Sequence, residues 1–460
     1  MEGNARKTKI VEYLTAAEQA AAVLVEGAPL TYFLTGEQVD YRTALLREGV
    51  EIHVFLAGFG QINQAVLTAL VSTCQFMTAD GRGVKEQPVQ YHIFDKDCTR
   101  LEDSLADYYR FAGWKREIDK GEYLPMPPTT AKEYFTQAEV DSPAFFKELE
   151  RTTANEKALS FVIVALGDEA ENLRFARKIT AWRAKNHKAV QVFAYASAFD
   201  KDGEAFGEGE EEVLSFHEEE IYPIYDIERM AKYRNATYEL ERRVCRGDIP
   251  TAEEVKEAFA HAQEDWESLN PFLKKSNLYA CLSLRSKLHL TGLDYAYDSA
   301  KQPFLSELAP ARAILEEEYM QVYAVGDMPE YFQGEVDEKK VVRYTIEEKS
   351  SKRRNFALIE HQRWTAFMLA HGYVPASLDQ IVYEKKDGKF TSGKNSVEKR
   401  HGNLTTYEGM KEYRRLLAKR DRTTEKEKDV FQYDYQIMDD AVWLLGKIDC
   451  VIVEKEGTFA

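Results

Sequence analysis

The spacing of apolar residues changes at residue 51. Before it, AAEQAAAVLVEG and VDYRTALLREG carry apolar residues at helical intervals and close on Gly27 and Gly49, so residues 1–50 are expected to form a helical segment. After it, short apolar runs alternate with longer amphipathic ones. EIHVFLAGFG ends in glycines and leads into the helical QINQAVLTALVSTCQF. PVQYHIFDKD is a second strand ending in acid, followed by the helical TRLEDSLADYYRFAGW. ALSFVIVALGD, EAENLRFARKITAWRAKN and AVQVFAYAS read as strand, helix, strand, and EEIYPIYD is a candidate for one more strand. Such alternation implies βαβ units on a parallel sheet. Near-continuous apolar strands such as FVIVAL imply burial on both faces.

The stretch KDGEAFGEGEEEVLSFHEEE reads as a solvated acidic loop in preference to a cation site. From IERMAKYRNATYELERRV onward the spacing is helical. TAEEVKEAFAHAQEDWESL opens with Thr251 and Glu254 at capping-box spacing, and SNLYACLSLRSKLHLTGL predicts a helix from Ser276 to near Gly292. DEKKVVRYTIEEKSSKRR is a linker or an exposed edge. RNFALIEHQRWTAFMLAHG is a long helix closing on Gly372, residues 384–403 form a loop, and the last fifty residues are helical to about Leu445. The expected organisation is a helical segment at 1–50, an α/β parallel-sheet domain at 51–240, a helical connecting region at 241–350 and a mainly α-helical region at 351–460.

Composition narrows the class. A net charge of −17 over 460 residues opposes non-specific nucleic-acid binding. Five scattered cysteines with no CxxC pair suit free thiols in a reducing compartment and argue against zinc. No apolar run approaches the roughly 20 residues of a membrane span, and the N-terminus lacks a secretory pattern, so a cytoplasmic location is expected. The opening MEGNARKTKI leaves room for a further segment upstream.

The chemistry-bearing residues of the first region fall in three loops. In AGFGQIN, Gly58 permits a tight turn and Gly60 lets backbone approach a pyrophosphate. Phe59, Gln61 and Ile62 complete the turn, and the helix starting near Gln61 aims free N–H groups at the phosphates. Asn63 replaces the third glycine of the dinucleotide pattern, either crowding the helix against its strand or reaching into the phosphate site. Asp95 ends the second strand, where an acid would hold ribose hydroxyls or cap the following turn, and Lys96 beside it could counter a phosphate. The longer gap before it is assigned to an inserted loop, TADGRGVKEQ. The third loop, VALGDEAENL, supplies Ala165, Gly167, Asp168 and Asn172, with Asp168 also readable as a helix N-cap and Asn172 as a surface residue. Together the loops make residues 51–240 a Rossmann-type domain that resembles the TrkA-N nucleotide-binding modules of potassium-uptake regulators. The resemblance implies that the third loop lines a nucleotide site opposite the glycine turn.

Farther on, LIEHQRWTAFMLAHGY, KRHGNLTTYEGM and EKEKDVFQYDYQIMDD, with DWESLN and KKSNLYACLSLRSKLHLTGL upstream, resemble the bacterial ryanodine-receptor repeat (RyR domain) over about 255–445. Glu360 and Trp364 share a helix face, and Glu360 and Arg363 stand three apart, able to pair. Trp364, Phe367 and Met368 read as core before ligand platform, and His361 reads as a hydrogen-bonding strut. Lys399, Arg400, His401 and Asn403 either form an anion site or are neutralised internally by acids near 360 or 429. The resemblance implies a nucleotide-derived ligand for this region.

No GxxxxGK[ST], HExxH or GxSxG motif occurs, and His53, His92 and His187 read as structural. The expected function is a cytoplasmic regulatory or sensor protein, not evidently an enzyme. Its Rossmann domain would bind NAD(H) or an adenine nucleotide, and its RyR-like region a second nucleotide-like ligand or a partner. A homodimer, or a membrane or effector partner, is compatible with this. An NAD-dependent oxidoreductase and a non-catalytic interaction scaffold are the competing readings.

Overall fold

The computed structural model describes residues 11–81, 83–97, 122–127, 131–197, 213–220, 222–244, 252–297, 351–383, 393–424 and 430–455, with two-residue strands at 324–325, 328–329, 385–386 and 389–390. The helix expected over TRLEDSLADYYRFAGW, the acidic loop as far as residue 212, and the charged stretch up to residue 350 lie outside these.

Helix α1 (Ala16–Gly27) begins with a capping box: Thr15 Oγ1 accepts the Glu18 N–H, and Glu18 returns the bond to the Thr15 N–H. The second helix expected in the N-terminal segment does not form. Val39–Asp40 and Leu45–Leu46 are instead short antiparallel strands, with Ala44 between them at φ +58°. They join a hairpin, Met77–Asp80 and Gly83–Glu86, in a four-stranded side sheet. The supposed inserted loop is this hairpin.

The main sheet contains β1 (Glu51–Ala57), β2 (Val89–Asp95), β3 (Ala131–Gln137), β4 (Ala158–Val164), β5 (Val190–Tyr195) and β6 (Val213–Phe216). Helix α2 (Gln61–Thr73) follows β1, α3 (Pro143–Thr152) follows β3 and α4 (Glu169–Asn186) follows β4. All pairings are parallel, in the spatial order β6-β5-β4-β1-β2-β3. This is the doubly wound order 3-2-1-4-5-6, in which the chain reverses direction across the sheet between β1 and β4. The domain is Rossmann-like. Two strands depart from the sequence reading. β3 was not anticipated: it lies at the edge and alternates exposed with half-buried positions, without the continuous apolar run of its neighbours. The sixth strand is VLSF, while EEIYPIYD enters a 3-10 turn and a helix.

Strand periodicity sorts β1 between two cores. Ile52, Val54 and Leu56 face one core, Phe55 and Ala57 the other. The second core is closed by α3 and α4 through Phe145, Leu149, Phe175 and Ile179. The first extends past α2 into the helical half. There lie α5 (Tyr222–Val244), α6 (Pro271–His289, N-capped by Asn270), α7 (Ser351–Ala370), α8 (Tyr407–Asp421) and α9 (Gln432–Asp439). A strand pair, β7 (Leu293–Tyr297) with antiparallel β8 (Cys450–Glu454), brings the end of the chain back beside α6. α7 packs along α2 and α9, and α5 along α6. Asn355 on α7 also donates to the Thr43 carbonyl at 2.8 Å. The described cysteines, Cys74, Cys281 and Cys450, are buried free thiols. Among the described residues, no helix is long and apolar enough to cross a membrane.

Leu70 of α2 and Phe356, Ile359 and Leu369 of α7 share one buried cluster, so the sheet and the helical half are expected to lose structure together. Leu70→Ala should lower stability by about 2–5 kcal/mol and speed hydrogen exchange in α7 as well as α2. Two separate urea transitions, with α7 protection untouched, would refute the shared core.

Candidate functional site

Register brings the three sequence-derived loops to one place. Ala57 stands opposite both Phe94 and Val164, so β1, β2 and β4 end level. The Gly58 N–H donates to the Phe94 carbonyl at 2.9 Å, and the Ala165 N–H to the Ala57 carbonyl at 3.1 Å. Gly58 has φ +79°, and a Cβ there would stand 2.6 Å from the Ala165 oxygen, so its glycine identity is required twice over. Gly60 is different: it is the N-cap of α2 with extended geometry, no side chain caps the helix, and a Cβ would meet nothing within 4 Å. Gly167, at φ +101°, also faces open space. The uncapped first turn of α2 is therefore open to solvent at the strand ends, where Gln61, Lys96 and Asp168 are all exposed.

The remaining residues of these loops act inward. Phe59 is buried against Phe135 with ring centroids 6.0 Å apart, and Ile62 packs on the core. Asn63 is fully buried. Its Nδ2 donates to the carbonyls of Ala57 (3.1 Å) and Gly58 (2.7 Å), so it laces the turn to its strand and stays out of the phosphate path. Asn172 is buried as well: Oδ1 accepts the Leu166 N–H at 2.6 Å, and Nδ2 donates to the Tyr195 carbonyl at 2.7 Å, tying the ends of β4 and β5. Asp168 caps α4 by accepting the Glu171 N–H at 3.0 Å. Asp95 accepts from the Phe59 N–H and the Asp97 N–H, both at 2.8 Å, and so fixes the glycine turn. His53 and His92 hydrogen-bond each other at 3.0 Å inside the sheet, and His187 ends α4 in the left-handed conformation.

The helical half holds a cavity of about 410 Å³ between α5, α6, α7, α8 and α9. Seven of the residues singled out in this part of the sequence line it: Glu360, His361, Arg363, Trp364, Met368, His401 and Asn403. Arg363 is only 2% exposed. Its Nε and Nη2 hold the two Glu360 oxygens at 2.8 Å each, and Lys287 of α6 reaches Glu360 at 2.7 Å. Burial opposes the Glu360 charge, but the two cations hold its carboxyl down at about 2. Burial brings Lys287 down to about 8 despite Glu360. His361 acts as a strut, contacting the Thr405 carbonyl at 2.9 Å and Asp434 at 3.5 Å.

The basic cluster at 399–401 is divided. Lys399 turns away to the His371 carbonyl at 3.0 Å, and Arg400 lies 3.9 Å from Glu398. Neighbours on a strand face opposite ways, and of these three only His401 lines the cavity. Its ring stands edge-on to Trp364 at 5.0 Å. Burial, with repulsion from Lys394 and His361, pushes His401 down to about 3, so it is a neutral ring and not an anion-binding cation.

The sequence reading overlooked the opposite wall, which includes Arg234, Tyr238 and Arg242 of α5 and Asn277 of α6. The available clue was the fourfold spacing of Arg234, Tyr238 and Arg242, which puts them on one helix face. Among the described residues, no group of His, Cys, Asp and Glu is arranged to hold a metal. Compared with protein-family models, curated proteins and solved structures, the chain matches none.

The neutral His401 has a pH consequence. An unfolded histidine takes up a proton near 6.5, whereas the folded one does so near 3. Stability contributed by this group is therefore complete above about pH 6.5 and declines as the pH falls toward 3, by at most about 1.4 kcal/mol per pH unit. His401→Gln should flatten the fall of urea-derived stability between pH 6.5 and 4 relative to wild type. Parallel profiles for the two proteins would rule out a ring held neutral at this position.

Proposed function

We propose that this chain is a nucleotide-responsive regulatory protein. In this reading NAD(H) or an adenine nucleotide lies across the switch point, and the RyR-like region holds a second, nucleotide-like ligand or a partner. The observation that carries the reading is the meeting of an open glycine turn, an uncapped helix N-terminus and a second glycine loop at the point where a 3-2-1-4-5-6 sheet reverses direction. Backbone N–H groups at the start of α2 suit a pyrophosphate. Asp95, whose oxygens each accept one backbone N–H, retains lone pairs for ribose hydroxyls. The TrkA-N and RyR resemblances rest on their motifs.

A regulatory role is favoured by continuity. α2, whose first turn would meet the phosphates, packs along α7, which carries Glu360, Arg363 and Trp364 to the cavity. A ligand that changes one helix acts directly on the other.

Gly60→Val tests the switch-point site. The position accepts a side chain without internal clash, so melting should stay within about 2 °C of wild type. The valine would stand between the phosphates and the helix backbone, and calorimetric binding of NAD+, NADH, ATP and ADP should be lost. A well-folded variant that binds one of these with wild-type affinity would reject the site.

A further inference from the structure

The cavity of the helical half has a charge pattern that identifies its ligand more closely. Each of its lining carboxylates already faces a cation or histidine: Glu360 has Arg363 and Lys287, Glu239 has Arg242 at 2.9 Å, and Asp434 has His361. Arg234 and Lys394 have no carboxylate partner among the described residues. Arg234 is 5% exposed and is held by the neutral Gln436 at 2.7 Å, with its Nε unpartnered. Arg363, deeper still, leaves Nη1 unpartnered. Lys394 is exposed at the cavity's edge; partial desolvation of its ammonium and the nearby Arg242 depress it, with no acid acting to raise it. A buried guanidinium nitrogen without an acceptor is costly, and a protein of net charge −17 is an unexpected place for a pocket with spare cations.

The rest of the lining is aromatic and amide. Trp364 and Phe272 are half-buried ring surfaces on the cavity wall. Asn403 Oδ1 is buried and unpartnered. His401 Nδ1 faces the Asn403 N–H at 3.1 Å and must accept it, which leaves the proton on Nε2 as a donor. A volume of about 410 Å³ lies within the usual range for small-molecule sites.

We infer that this cavity binds a nucleoside monophosphate with an amino-bearing base, its phosphate met by Arg234, Arg363 and Lys394 and its base by Trp364, Phe272 and Asn403. Arg234 and Lys394, with the one positive charge left over by the Arg363–Lys287–Glu360 triad, cover the charge of a phosphate monoester, about −1.5 to −2 at neutral pH, and would underserve a triphosphate. The unpartnered amide oxygen accepts from an exocyclic amine, and the aromatic wall supplies stacking, worth about 1–3 kcal/mol per base. About half of the site comes from α5 and α6, outside residues 351–460, so that stretch alone would not retain it. The inference rests on the reading of the helical half as the holder of a second ligand, and it is independent of the switch-point site.

The test is calorimetry on the full chain with AMP, adenosine and inorganic phosphate. AMP should bind saturably, adenosine and phosphate each at least tenfold more weakly, and AMP affinity should survive Gly60→Val. Arg234→Gln should weaken AMP roughly 10–100-fold, the loss of one charge-assisted hydrogen bond. Because Arg234 also holds Gln436, Lys394→Ala at the exposed edge repeats the measurement without touching the core and should weaken AMP while sparing adenosine. The inference is overturned if AMP does not saturate at millimolar concentration, if its binding disappears in Gly60→Val, or if folded Arg234→Gln and Lys394→Ala both bind it as wild type does. Loss of dinucleotide binding in Gly60→Val with no AMP binding anywhere would leave the switch-point reading standing and this one refuted; the converse pattern would do the opposite.

Discussion

Arg363 carries a permanent charge to a position that is 2% exposed, and the helical half is arranged around the need to hold it there. Removing such a charge from water costs several kcal/mol, which a single carboxylate repays only with good geometry and further hydrogen bonds. Glu360 provides both: two parallel bonds to Arg363 from one turn away on α7, and a third to Lys287 on α6. Lys287 is steadied in turn by Ser283, one turn back on its own helix. The triad fixes the rotation of α7 against α6, because a slip of either helix would leave two buried cations facing apolar neighbours. It also carries one more positive charge than negative, so a guanidinium nitrogen remains to face the cavity. The packing constraint and the chemistry of the cavity have the same origin.

Much of the sheet was legible in the chain. Apolar strands followed by glycine or acid announce a doubly wound domain; β1, β2 and β4 carry that mark, and β5 carries the apolar run without it. β3 does not, because an edge strand buries less and its AKEYFTQ alternates without a strong apolar run. The side sheet was hidden for another reason. Leu45–Leu46 lies in a stretch with helical apolar spacing, yet it pairs locally with Val39–Asp40 and, across the chain, with Thr78, the second a tertiary effect that local propensity does not register.

The glycine loops were legible as a group, but not the direction of each side chain. Asn63 and Asn172 belong to the right loops, yet both amides turn inward and hydrogen-bond backbone groups at the strand ends. The same limit divided Lys399, Arg400 and His401. Adjacency in sequence suggested one cationic cluster, and a two-residue strand sent neighbours to different places. The opposite wall of the cavity was missed because Arg234 and Asn277 are remote in sequence from Glu360 and Arg363 and meet them only through tertiary packing, which no local spacing rule spans.

The two candidate sites are joined by solid matter. α2 begins at the glycine turn, and its buried face meets α7 within one continuous core. α7 is pinned near its start by Asn355 on the Thr43 carbonyl and by Arg353 Nε on Asp439 Oδ1 at 3.0 Å, and midway by the Glu360 triad. A helix fastened in this way has little freedom to deform locally, because protein cores are close-packed and pass strain on without absorbing it. Any displacement of α7 by an occupant of the cavity must be taken up by α2 or by breaking one of these fastenings. Coupling between sites is reciprocal in free energy, so whatever preference the cavity's occupant imposes on α2 is returned by an occupant of the switch point to Arg363. Among the described residues α2 touches two helices that line the cavity, α7 and α6, so both interfaces connect the switch point with the cavity.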